Sequence, residues 1–286
     1  MIEWHPGFEG GIELRLRAYK GKLSYHHEYP LGKMAIVVDT LVIEKEDNLR
    51  ITDDIAAIFR CHNILDYKNP DDTLSIDEYY NLIAYMARYK AGAGKTDEVK
   101  ADQVTGTLMR QRRPDGLFKE ICRLGGSVEQ RYPGIYYIHG LVHMPTQIIV
   151  QPELAGPENT VLRILTRIAR QEDVKAFVET ALNYTEKDDK ANADAVFQVS
   201  VSANRELYEL LKRSDPEMCT ALRELMREEI REEIQEAEQA ASLRGKNEGF
   251  TKATVEYVKD GLISPEKGAE KLHITIDEMK RLVAQG

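Results

Sequence analysis

Apolar positions along this chain change their spacing near Pro152, and that change divides the sequence. Before it, short apolar runs follow one another at strand length. Residues 23–31 and 34–45 (MAIVVDTLVIEK) read as two strands joined at Pro30-Leu31-Gly32-Lys33, and residues 61–68 (CHNILDYK) as a third. Residues 103–112 give a fourth, and residues 132–150 hold a strand pair around His139-Gly140. Helical spacing interrupts these runs. It is predicted over residues 6–20, where Pro6 is tolerated in the first turn, and over residues 116–124. Residues 53–60 read as a short helical connection. Ser75-x-x-Glu78 has the form of a capping box and opens a helix to about Lys90.

After Pro152 the spacing is helical throughout. Residues 157–184 and 190–213 read as helices, with Leu162, Leu165, Ile168 and Ala169 on one stripe. Residues 216–247 form a strongly charged run with a narrow seam of Met226, Ile230 and Ile234, predicted to pack on another helix or on a second copy of the chain. Three short helical pieces follow over 249–285. Ser264-Pro265 starts one and Thr275-x-x-Glu278 caps the next, so residues 264–283 have helix-turn-helix spacing. The expected division is residues 1–155 as one domain and 156–286 as a helical region, with the long charged helix and a small terminal module.

Composition narrows the function class. The chain has 286 residues, 42% hydrophobic and 30% charged, the balance of a water-exposed domain with a sizeable core. No apolar run reaches about 18 residues, and the N-terminus lacks a basic region followed by an apolar one, so neither a membrane span nor a signal peptide is expected. Three cysteines, widely spaced, fit reduced thiols in a cytoplasm better than a disulfide framework. The net charge of −9 divides into −3 for residues 1–155 (19 basic, 22 acidic) and −6 for the rest (20 basic, 26 acidic). Nucleic-acid binding therefore has to come from a local basic patch. Arg110, Arg112 and Arg113, with Lys119 and Arg123, make the densest one, and Arg110 and Arg112 share a strand face.

The chemistry rests on acids inside apolar strands. Asp39 sits within one such run, and Asp66 and Lys68 close another, two residues apart and so on one face. A buried carboxylate needs a partner, and oxygen donors suit magnesium. Two other patterns carry less. Gly92-Ala93-Gly94-Lys95-Thr96 has Tyr89 where a phosphate-binding loop needs its leading glycine, and it follows a helix instead of a strand. His139 and His143 lie in a turn without further metal-ligand spacing.

Asp39 followed by Asp66-x-Lys68 on the next strand resembles the PD-(D/E)XK nuclease superfamily. Trp4-His5-x-Gly7-Phe8, Glu28-Tyr29-x-Leu31, Ile58-Phe59-Arg60 and Asn63-Ile64-x-Asp66-Tyr67-Lys68-x-Pro70 extend the likeness toward its nuclease-family transposases and recombination-promoting nucleases. Two departures are plain: Val38 replaces the proline before Asp39, and Asp66 stands where Glu is commoner. The resemblance implies an α/β restriction-endonuclease-like core, a mixed sheet flanked by helices, and magnesium- or manganese-dependent cleavage of DNA linked to mobile elements or recombination. It implies metal ligation by Asp39, Asp66 and the Tyr67 carbonyl, with Lys68 orienting water or stabilising charge. A third acid would come from Glu13 on the first helix or Glu28 on the first strand, Glu9 being the weaker choice. Arg110, Arg112, Arg113 and Lys119 would meet DNA.

Overall fold

The computed structural model describes residues 2–27, 40–46, 48–92, 94–214, 255, 258–259, 264–272 and 275–285. The chain divides into two compact units, Met1–Met226 and Arg227–Gly286. The seam of Met226, Ile230 and Ile234 lies outside the described residues.

The first unit is α/β. Its strands are β1 (Leu23–His26), β2 (Thr40–Lys45), β3 (His62–Tyr67), β4 (Val104–Arg110), β5 (Ser127–Tyr132), β6 (Ile135–His139) and β7 (Thr146–Val150). They form one mixed sheet in the order β1-β2-β3-β4-β7-β6-β5. β3, β4 and β7 run parallel in the centre, and antiparallel pairs complete both sides. The helices are α1 (Trp4–Arg15), α2 (Ile76–Ala91), α3 (Asp115–Arg123), α4 (Thr160–Arg163), α5 (Gln171–Ala181), α6 (Lys187–Ala203) and α7 (Arg205–Ser214).

The pleat assigns β3 to two different faces. Ile64 packs with Val42, Leu108, Leu82 and Met86 beneath α2, in a cluster that also takes in Leu117 and Ile121 of α3. Tyr67, three residues after Ile64, faces the other way, its ring stacked on Phe8 and Trp4 of α1 at centroid distances of 5.1 and 6.2 Å. Asp66, two residues after Ile64, therefore belongs to the α2 face.

Helix α1 is held against α6 by a small-residue flank. A methyl group on Gly10 would lie 3.0 Å from the main-chain oxygen of Asn192, a neighbour that cannot rotate away. A Gly10→Leu variant is expected to lose about 1–3 kcal/mol or more, since overpacking forces backbone movement. The check is the urea midpoint at unchanged m-value. The last turn of α1 is tied down by Arg15. Its side chain, 5% exposed, pairs with Asp53 and Asp54 and donates to Asn159 Oδ1 at 2.6 Å. Burial raises the Asp53 carboxyl above its ordinary range even though Arg15 opposes that shift.

Several elements differ from the sequence expectation. Residues 53–60 form turns, because their polar groups serve the tertiary structure: Asp53 and Asp54 hold Arg15, and the Ile55 carbonyl accepts from Gln147 Nε2 at 2.7 Å. The expected helix over 157–184 is divided. Carbonyls of residues 162–166 are diverted to side chains: Leu162 and Leu165 accept from Gln151 Nε2 (2.9 and 3.1 Å), Ile164 from Ser200 Oγ (2.9 Å) and Thr166 from Asn204 Nδ2 (2.7 Å). Ile168, placed on the apolar stripe with Leu162 and Leu165, is 59% exposed while those two are buried. β5 has no apolar alternation to announce it. It is an edge strand, paired to β6 across a turn at Pro133-Gly134 in which Gly134 adopts φ 74°.

The unit boundary at Met226 also differs from the expected one at 155. α4 and α6 pack on α1, and Tyr67 donates to the Leu165 carbonyl at 3.4 Å, so the first four helices after Pro152 belong with the sheet. In the second unit, helices Pro265–Leu272 and Ile276–Gln285 enclose Val258, Ala269 and Met279. The Thr275 capping box is formed: Glu278 Oε2 accepts from the Thr275 amide (3.1 Å), and Thr275 Oγ1 accepts from the Glu278 amide (3.3 Å). Among the described residues, no helix is long and apolar enough to cross a membrane.

Candidate active site

The carboxyl ends of the parallel strands β3 and β4 carry a group of opposed charges on the α2 face. In open α/β sheets this end is where ligands are received. Asp66, 4% exposed, stands at the end of β3. Lys68 follows one residue beyond the strand, and its amide extends the ladder by donating to the Met109 carbonyl at 2.9 Å. Its ammonium lies 3.0 Å from Asp66 Oδ2 and 2.6 Å from Glu78 Oε2 in the first turn of α2. Asp66 Oδ2 is fully buried, with the Lys68 ammonium held against it as an ion pair.

Burial is the largest influence on Asp66. It raises the carboxyl above the ordinary range; the Lys68 charge opposes this and Glu78 adds to it. Lys68 is also desolvated, but the two carboxylates outweigh that and raise its pKa. The ammonium therefore stays charged between two acids.

Glu78 is the functional candidate that sequence reasoning missed. Ser75-x-x-Glu78 reads as a capping box, which would turn Glu78 back onto the helix start. Instead Ser75 Oγ accepts from the Asp77 amide at 3.2 Å, and Glu78 reaches across to Lys68. A signal was available: Lys68 closes its strand with the α2 N-terminus only a short loop away.

The other expected site residues fall as follows. Asp39 and Glu28 lie outside the described residues; the last described pair of the β2–β3 ladder is Thr40 with Asp66. Glu13 faces β1 and α6, with His27 Nε2 at 3.1 Å and Asn192 Nδ2 at 2.9 Å. Glu9 meets the other nitrogen of His27 at 3.0 Å. The Tyr67 ring is part of the core on the α1 face. Among the described residues, no three His, Cys, Asp or Glu side chains are grouped so as to hold a metal ion.

The basic patch separates into unlike members. Arg113 is engaged within its own unit: it donates to the Tyr136 hydroxyl at 3.1 Å, pairs with Asp115 at 3.0 Å and lies over the Tyr136 ring at 5.0 Å. Arg112 and Lys119 are exposed. Arg110 is 9% exposed, at the carboxyl end of β4 on the same face as Leu108 and thus as Asp66. Gly92, the start of the glycine-rich segment, ends α2, and the Lys95 amide donates to Glu98 at 3.0 Å. His139 makes a cross-strand contact with Glu129 at 3.2 Å.

No family model, curated protein or solved structure matches this chain.

Proposed function

We propose that the chain is a metal-dependent phosphodiester hydrolase acting on DNA, of the PD-(D/E)XK kind and linked to mobile elements or recombination. The observation that carries this reading is the Asp66–Lys68 pair, one buried acid and one ammonium 3.0 Å apart at the carboxyl end of a parallel strand pair.

The donor chemistry fits a small hard cation. Asp66 Oδ2 is a buried carboxylate oxygen met by the Lys68 ammonium at 3.0 Å, and an oxygen of that kind is a donor that a hard cation takes. Asp66 would hold the ion with the Tyr67 carbonyl and Asp39. A divalent ion at this place would neutralise phosphate charge and acidify a bound water. Lys68 would donate to the attacking water or to the phosphate oxygen on which charge grows. Glu78 restrains the ammonium from the helix side and keeps its charge matched when Asp66 turns to other partners.

Nicking or linearisation of supercoiled plasmid in magnesium or manganese, abolished by chelator and by Lys68→Ala, is the expected result. Cleavage that persists in Asp66→Asn and Lys68→Ala alike would remove this site from consideration. A folded protein that binds DNA but never cuts it would favour a nuclease fold retained for binding or assembly.

A further inference from the structure

Arg110 is a cation sunk into the sheet face. Among the described residues it makes no hydrogen bond and no ion pair. The other cations sunk into this unit are matched: Arg15 by Asp53 and Asp54, Arg163 by Asp173 at 2.5 Å, Lys68 by Asp66 and Glu78. The Asp72 carboxylate favours the Arg110 charge without forming an ion pair with it. That carboxylate is committed to its own turn, where it accepts from the Asn69 amide at 3.1 Å. Arg112 adds repulsion, and burial itself works against the guanidinium charge. A protein retains such a group at a cost in stability, and the cost is recovered when an anion arrives.

The position says which anion. Arg110 ends β4 one strand away from Lys68, on the same sheet face, so the two cations stand side by side at the carboxyl ends of neighbouring strands. A guanidinium presents paired donors matched to a phosphate, whereas the Lys68 ammonium is a point charge. Arg110 is 9% exposed, so an oxyanion would have to project into the site to meet it, whereas Arg112 is open to solvent.

We propose that Arg110 is the floor of a phosphate pocket, which binds the oxyanion of the substrate independently of any metal. This rests on the hydrolase reading for its biological meaning, but the pocket itself does not depend on catalysis. It takes either an internal phosphodiester or a terminal phosphate. Arg113, in contrast, already donates to the Tyr136 hydroxyl and pairs with Asp115.

The test uses the full chain in metal-free buffer with chelator. Inorganic phosphate should raise the melting temperature of the wild type and of Arg131→Gln, a distant exposed control. It should do so at least tenfold less effectively, in concentration, for Arg110→Gln and Arg110→Met. Without phosphate, the Met variant should melt no lower than wild type, since an unmatched charge has been removed. Three competitors then separate the sources: covalently closed plasmid, a 5′-phosphorylated oligonucleotide and the same oligonucleotide unphosphorylated. Arg110-dependent preference for the phosphorylated end identifies a terminal phosphate; equal competition by closed plasmid identifies an internal one. Equal phosphate response in wild type and both variants, or a lower melting temperature of Arg110→Met, overturns the pocket. Absence of cleavage by the wild type, with its phosphate response intact, would count against the hydrolase reading alone.

Discussion

Asp66→Asn should abolish metal-dependent DNA cleavage without lowering the melting temperature at pH 7. Both halves follow from where the side chain sits. Outer partners of metal ligands are worth about 10–100-fold, so under the proposed function, in which Asp66 is a ligand, its removal should reduce cleavage by more than about 100-fold. The stability half follows from the direction of the pKa shift. Burial holds the Asp66 carboxyl above its ordinary range, so ionising it is harder in the folded than in the unfolded chain. Such a group supports the fold fully at pH values below the ordinary carboxylate range. That support is lost as pH rises through the raised folded value, and at pH 7 the ionised carboxylate weighs against folding. Asparagine keeps the shape and removes the charge. Lys68 is not stranded, because Glu78 remains 2.6 Å from its ammonium. The melting temperatures of wild type and variant should therefore be equal or favour the variant at pH 7, and the gap should close on acidification toward pH 4. A variant that melts clearly lower at pH 7 would make the pair a structural ion pair, and its loss of activity would then say nothing about chemistry.

The strands around this site were legible because their residues decide between two faces. In β3, Ile64 must go under α2 and Tyr67 onto α1, so the pleat alone placed Asp66 with Ile64 and put Lys68 beside it. The α2 start at Ser75 and the Thr275 capping box were legible for a similar reason, since each is set by residues close in sequence. What escaped was set by distant partners. Nothing within residues 157–184 announces that four carbonyls there bond to Gln151, Ser200 and Asn204. Glu78 satisfied a local pattern and was used for a non-local one. The basic patch was visible as composition, but only packing separates the engaged Arg113 from the sunken Arg110, which has no ion pair among the described residues.

Truncation after Glu153 should leave a chain that does not fold, whereas truncation after Ser214 should retain a cooperative unit. The shorter cut runs through the core. It removes Leu162, Leu165, Val196 and Phe197, each 0–1% exposed, and uncovers the flank of α1 that packs on α6. A buried side chain of this size contributes about 1.5–3 kcal/mol, so four of them alone approach the roughly 5–15 kcal/mol that holds a domain together. The cut also deprives buried polar groups of their partners: Gln151 loses the carbonyls of Leu162 and Leu165, and Arg15 loses Asn159. Each buried group left unsatisfied adds about 1–3 kcal/mol. The longer fragment keeps all of these contacts and omits the second unit. Circular dichroism and a urea melt distinguish the two. The 1–153 fragment should show no cooperative transition and the 1–214 fragment a single one. A cooperative melt of 1–153 would mean that the sheet with α1, α2 and α3 is self-sufficient, and that the helices after Pro152 are an addition to a finished core.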